Sequence, residues 1–293
     1  MSYYVIGFIC YYYVIGFLRG STREEKYFCA WITLFFSSLT ILIDTVYRFL
    51  TPNYAYMESV SSRGEANLIF YAYKHSYIFQ DSNFSALVSL LMVCLSALLW
   101  KEFKSKIAFY FFLLNSCLVF FSFSRASIGA CLVFYILFFL SGLNQRLSKV
   151  RYFYIITILL ISVLCIIIIH FSNYNIFSSS DGSLQTKFEI LYNTIHQLDS
   201  GNLFDFFIGW GFNQTKFYMP RSAHNLLITF LLETGIIGLL TFIVFSYQYI
   251  TKNIWTFLTL TTFLVASMSF GLLISAYMVP LAIIVIISQE IRR

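Results

Sequence analysis

Apolar residues in this chain come in long unbroken runs. They form neither the one-sided stripe of a soluble helix nor the alternation of a half-buried strand. Nine runs read as helices, at about 3–19, 27–43, 83–100, 107–123, 126–143, 151–170, 224–250, 254–270 and 273–289. A bilayer crossing takes roughly 20 apolar helical residues, which most of these runs approach. Without a period-two pattern, a membrane β-barrel is disfavoured. Most connections are short and polar, such as "RGSTREEK", "KEFKSK" and "NQRLSKVR". Two are long. The pattern therefore divides the chain into N-terminal transmembrane helices (1–50), an external loop (51–82), transmembrane helices carrying a Ser-Arg turn at 124–125 (83–170), an external loop domain (171–223) and C-terminal transmembrane helices (224–293). The expected fold class is all-α, a polytopic integral membrane protein of about nine spans.

Composition strengthens this reading. Of 293 residues, 59% are hydrophobic and only 11% charged, with a mean hydropathy of +0.77, too little charge for the surface of a soluble domain. The charges also give an orientation. Arg19, Arg23, Lys26, Lys101, Lys104, Lys106, Arg146, Lys149, Arg151, Lys252, Arg292 and Arg293 lie in segments that all fall on one side. The positive-inside rule makes that side cytoplasmic, with the N-terminus outside and the C-terminus inside. These anchors account for most of the net charge of +6, which is not a nucleic-acid footprint. The first apolar run lacks the features of a removed signal and reads as a retained helix. It holds "YYVIGF" twice, at Tyr3–Phe8 and Tyr12–Phe17, too short for a solenoid repeat. The six cysteines lie inside apolar runs without a C-x-x-C pair and read as small core residues. Neither H-E-x-x-H nor D-x-D occurs, so metal chemistry has no visible support and no cofactor is implied.

Candidate chemistry collects on the face opposite the basic loops. Arg125, in "FSFSRASIG", costs roughly 2.5–3.5 kcal/mol at membrane depth and sits on the side where basic residues are scarce. Its rigid fork suits phosphate oxygens. Ser124 and Ser127 can add hydroxyls, and a helix starting near Ala126 would direct N–H groups to the same spot. The alternative is an Arg snorkelling at an interface. The second external loop brings Lys187, Lys216 and Arg221, then His224 and Asn225. Ser222 is a plausible N-cap, placing His224 in the first turn of the next helix, where imidazole can serve as a general base. Glu233 lies nine positions further on, half a turn away and about 13 Å deeper, and reads as a buried structural partner. Gly235 and Gly238 read as helix-packing residues. "FFIGWGFNQ" reads as a turn returning the loop to the membrane.

Taken together, "SRAS", "SLQTKFEILYNTIHQ", "FIGWGFN" and "AHNLLITFLLETGIIGLL" resemble the O-antigen polymerase and ligase family of bacterial membrane glycosyltransferases. "FQDSNFSALVSLLMVCLSALL" resembles the family helix that opens with a short Asn-containing turn, which singles out Asn83. The resemblance spans about residues 75–290. It implies a C-type glycosyltransferase-like fold in the inner membrane with its active face periplasmic. The implied donor is an undecaprenyl-diphosphate-linked oligosaccharide. The implied acceptor is a repeat-unit glycan in polymerases, or lipid A–core in ligases. Implied partners are the lipid bilayer and polysaccharide export or chain-length proteins. The implied catalytic set is Arg125, Arg221 and His224, with Ser124, Asn225, Lys187, Lys216 and Asn83 binding substrate and no metal. Two departures stand out. Lys187 occupies a place where the family often has Arg, and the chain is shorter than typical members, so that some of the family's N-terminal helices are expected to be missing from it. A transporter or flippase would place charges near the midplane. A non-catalytic assembly subunit is the third reading.

Overall fold

The computed structural model describes residues 3–61, 69–143, 182–212, 214, 217, 225–250, 253–267 and 275–290. Its helices are α1 (Tyr3–Gly20), α2 (Arg23–Leu50), α3 (Tyr54–Ser61), α4 (Ser82–Phe103), α5 (Lys106–Phe121), α6 (Arg125–Leu143), α7 (Gly182–Ser200), α8 (Leu203–Ile208), α9 (Leu226–Ile250), α10 (Ile254–Ala266) and α11 (Ser275–Glu290). A 3-10 turn (Ile69–Tyr73) and a two-stranded ribbon, β1 (His75–Ser76) against β2 (Gln80–Asp81), precede α4. Among the described residues, α2, Ser82–Phe103 and Leu226–Gln248 are long and apolar enough to cross a membrane, and several shorter helices are also apolar. Eight of the nine expected runs coincide with helices. The ninth, 151–170, lies outside the described residues, so the chain is a helical membrane protein whose full span number rests on the sequence.

Polar caps set the helix ends. Thr22 and Glu25 form a reciprocal box at the start of α2, Ser105 accepts from the Ala108 N–H in α5, and Asn253 accepts from Thr256 in α10. Lys104, in left-handed conformation, turns the chain from α4 to α5.

The core is built around α4, whose residues from Ser85 to Leu99 are all buried. α2, α5, α6, α10 and α11 surround it, and α1 packs along α11. No lipid-facing stripe is left on α4, which explains a run apolar all round. Small residues such as Ser85, Ser89 and Ser96 return their hydroxyls to carbonyls of their own helix, which leaves no orphaned donor in the core at those positions.

One end of the bundle collects Lys26 with Glu290 (2.8 Å), the Trp255 indole on Glu102 (2.8 Å) and Asn253 on Ser288 (2.9 Å). Arg23 and Lys101 lie over Phe103 and Phe138 at the same end. This is the end that the charge pattern assigns to the cytoplasm. The opposite end carries the outer end of α2 and the starts of α4, α6 and α9, where the candidate chemistry falls.

Candidate functional site

At that opposite end the last turns of α2 carry a buried charge pair. Asp44 Oδ2 and Arg48 Nε are 3.4 Å apart and neither side chain is exposed. Asp44 Oδ1 accepts hydrogen bonds from Ser76 Oγ (2.8 Å) and from the backbone N–H groups of Tyr77 (2.9 Å) and Ile78 (3.3 Å). Arg48 donates to Thr45 Oγ1 (3.0 Å) and to the Tyr73 carbonyl (3.3 Å). The pair thereby staples the segment from Tyr73 to Ile78 onto α2. A buried charge of this kind is tolerated only with partners. The expected helix end at 43 is corrected by this pairing: α2 runs on to Leu50 because each charge supplies the other's counter-ion. An Asp and an Arg four apart inside "ILIDTVYRFL" were the available signal.

The stapled segment continues into α4. Asp81 caps that helix, accepting from the Asn83 N–H (2.8 Å) and from the Asn83 side-chain amide (3.1 Å). Asn83 is therefore half-buried and engaged with Asp81. On its other side the segment grips the Ser-Arg turn. Phe123 has a left-handed backbone, φ 56°, unusual for a bulky residue. Its ring meets Phe49, Phe70 and Tyr73 at centroid distances of 6.1, 6.1 and 6.3 Å. Three rings from α2 and the 3-10 turn thus hold a turn that the backbone alone would disfavour.

This turn separates the two candidate side chains beyond it. Ser124 is buried; its Oγ donates to Ser127 Oγ (3.1 Å) and accepts from the Ser127 N–H (3.4 Å). It serves as the cap of α6, with Ser127 facing inward beside it. Arg125, the first residue of α6, is exposed at the bundle end. An exposed guanidinium at a helix start, with N–H groups aligned beneath, suits an anion.

The start of α9 corrects the expected cap. The helix begins at Leu226, and Asn225 Oδ1 accepts from the N–H groups of Leu227 (3.0 Å) and Ile228 (3.2 Å). Asn225, not Ser222, caps it, because the Asn carbonyl reaches the second and third helical N–H groups. Ser222, His224, Arg221 and Lys216 lie outside the described residues. Lys187 falls within α7, but its side chain is not among those described.

Deeper in α9 the structure differs from a plain span. Gly235 has φ 66° and ψ −172°, a break inside the helix. The loop after α8 docks into it. The Trp210 N–H donates to the Leu232 carbonyl (2.9 Å) and the Gly211 N–H to the Glu233 carbonyl (3.1 Å). A Cβ on Gly209, whose φ is 81°, would lie 2.5 Å from Glu233 C and Gly235 N; one on Gly235 would lie 2.5 Å from Ile208 N. "FFIGWGFNQ" is therefore more than a return turn: two glycines let two backbones touch. Gly235 serves loop docking rather than helix-on-helix packing. Glu233, 4% exposed, is buried at the break.

The Tyr73–Phe123 contact links the segment leading to Asn83 with the Ser-Arg turn, and Asn225 stands at the start of a separate helix whose Leu226 enters the same apolar core. Among the described residues no group of three or more His, Cys, Asp or Glu could hold a metal ion. No curated protein and no solved structure matches the chain. Residues 110–243, from α5 through the Ser-Arg turn into α9, match a family model described as O-antigen ligase. That match supports the resemblance the motifs carry to the O-antigen ligase/polymerase family.

Proposed function

We propose that the protein transfers a glycan from an undecaprenyl-diphosphate carrier to an acceptor sugar on the periplasmic face of the inner membrane, polymerising O-antigen or capsule repeat units. The observation that carries this reading is the extent of the family match. It takes in both the Ser-Arg turn and the mouth of α9. A glycosyl diphosphate brings its own leaving group, so the barrier lies in stabilising the departing diphosphate and activating a hydroxyl. Arg125 and Arg221, with Lys187 or Lys216, supply charge-assisted hydrogen bonds to the phosphates. His224 acts as general base on the acceptor hydroxyl, an effect worth typically 10²–10⁴-fold. Asn225 holds the start of α9 in place beside His224. No step requires a metal. Nine spans and a periplasmic loop domain at 171–223 belong to this reading, as do export or chain-length proteins as partners.

A ligase joining finished glycan to lipid A–core is the second reading, favoured by the description of the matched family model. A deletion strain separates the two. Loss of the long-chain ladder with one repeat unit still attached identifies a polymerase; loss of all attached repeats identifies a ligase. Complementation with Arg125→Ala or His224→Ala tests the site. Each is expected to insert normally and to leave the glycan profile of the deletion strain unchanged. Restoration of the wild-type ladder by a well-expressed variant would refute the assignment.

A further inference from the structure

The loop helix α8 offers a surface that the transfer reaction does not use. Its sequence, "LFDFFI", has one charged residue. That residue, Asp205, is turned back on the helix start: the Asn202 N–H donates to Asp205 Oδ2 (3.4 Å) and the Asp205 N–H to Asn202 Oδ1 (2.9 Å). Every other side chain is apolar and exposed: Leu203 is 77% exposed and Phe204 66%, with Phe206, Phe207 and Ile208 also open. Phe212 and Phe217, further along the loop, are also exposed. In water this would be a costly face.

The height of α8 relative to the bilayer is set by the break in α9. The loop backbone at Phe207–Gly211 touches Leu232–Gly235, well inside the candidate span Leu226–Gln248. From Ile236 to Ile250 the helix has 15 residues, about 22 Å at 1.5 Å per residue. A hydrocarbon core is about 30 Å thick. About 8 Å of hydrocarbon must therefore lie beyond the break, on the α8 side, and helix tilt would increase that amount. The level at which α8 docks is within lipid.

We propose that α8 is an interfacial wedge, inserted through Leu203, Phe204, Phe207 and Ile208 into the boundary between lipid headgroups and acyl chains, on the side where α9 begins. The occupant of this apolar face is the bilayer itself. Helix faces carrying Phe and Leu bury about 5–10 Å into this boundary. Docking at Gly235 fixes how far the loop sinks. Asn225, ten residues before the break, lies up to about 15 Å from it along the first segment of α9, in the direction of the headgroup layer. That is the layer in which a lipid-linked diphosphate holds its phosphates. The placement of α8 does not depend on the transfer reaction, so either can fail without the other.

The test uses the full chain in nanodiscs, where both faces of the membrane are open to reagent. Asn202→Cys, Phe204→Cys and Ile208→Cys are labelled with a charged, membrane-impermeant maleimide, and the rate is read above that of the unsubstituted protein. Asn202→Cys at the polar cap should react readily, and Phe204→Cys and Ile208→Cys about ten-fold more slowly. Addition of denaturing detergent should bring the three rates together. A variant that does not reconstitute is replaced by Leu203→Cys or Phe207→Cys, read in the same way. Equal rates in the nanodisc at all positions, fast or slow, would overturn the proposal.

Discussion

Replacing Gly235 by alanine tests whether the α8 loop and the broken helix are locked together by backbone contact. Two terms add. The φ 66°, ψ −172° conformation is essentially confined to glycine and costs another residue about 1–3 kcal/mol. The new methyl would also lie 2.5 Å from Ile208 N, a backbone atom that cannot turn aside. The loop must withdraw, releasing the hydrogen bonds from Trp210 and Gly211 to the Leu232 and Glu233 carbonyls, at about 1 kcal/mol each. The sum is about 3–5 kcal/mol. For a chain of this size that is a fall in melting temperature of about 6–20 °C, measurable by thermal unfolding in detergent. Gly129→Ala is the control, because a Cβ there meets nothing within 4 Å; it should shift stability by less than about 1 kcal/mol. Gly209→Ala breaks the same contact from the other side, so the double variant should lose less than the sum of the two. A Gly235→Ala protein that melts with the wild type, or strict additivity in the pair, would refute the lock.

Three further outcomes are expected. Arg48→Met leaves Asp44 charged and buried without its counter-ion and should destabilise by about 3–5 kcal/mol, whereas Asp44→Asn with Arg48→Met together should recover part of that loss in the same melt. Phe123→Ala keeps the left-handed φ but removes the ring from the Phe49, Phe70 and Tyr73 cluster; the ladder restored in a deletion strain should be weaker, while Phe123→Tyr should restore it fully. Asn225→Ala removes the cap of α9 and should cost about 0.5–2 kcal/mol, with Asn225→Ser recovering most of it in the unfolding assay.

The bundle was legible in the sequence because long apolar runs and one-sided basic loops are strong, redundant signals. Lys26, Glu102, Trp255, Ser288 and Glu290 meet at one end, as the charge pattern requires. The turn before Arg125 was also legible, since polar and basic residues between two apolar runs mark the break between helices. What the sequence could not convey were contacts between segments far apart in the chain. Arg48 reads as lying beyond the helix end expected at 43 until its partners, Asp44 and the Tyr73 carbonyl, are seen. Gly209 and Gly235 each look like ordinary glycines, and only the fold shows that each exists for the other. Serines near a candidate site are equally ambiguous: Ser124 could face a ligand or its own helix, and it faces its helix.

The ion pair between Lys26 and Glu290 has a bearing on biogenesis. These residues are 264 positions apart, and Lys26, only 7% exposed in the finished bundle, waits for its counter-charge until the residues between them have been made. At about 5–20 residues per second that delay is about 13–53 s. During it, α2 must sit in the membrane with an unpaired ammonium near its start and with the groove for α11 unfilled. The closing of α2 onto α11 is therefore a late event, governed by the arrival of α11 rather than by the insertion of α2.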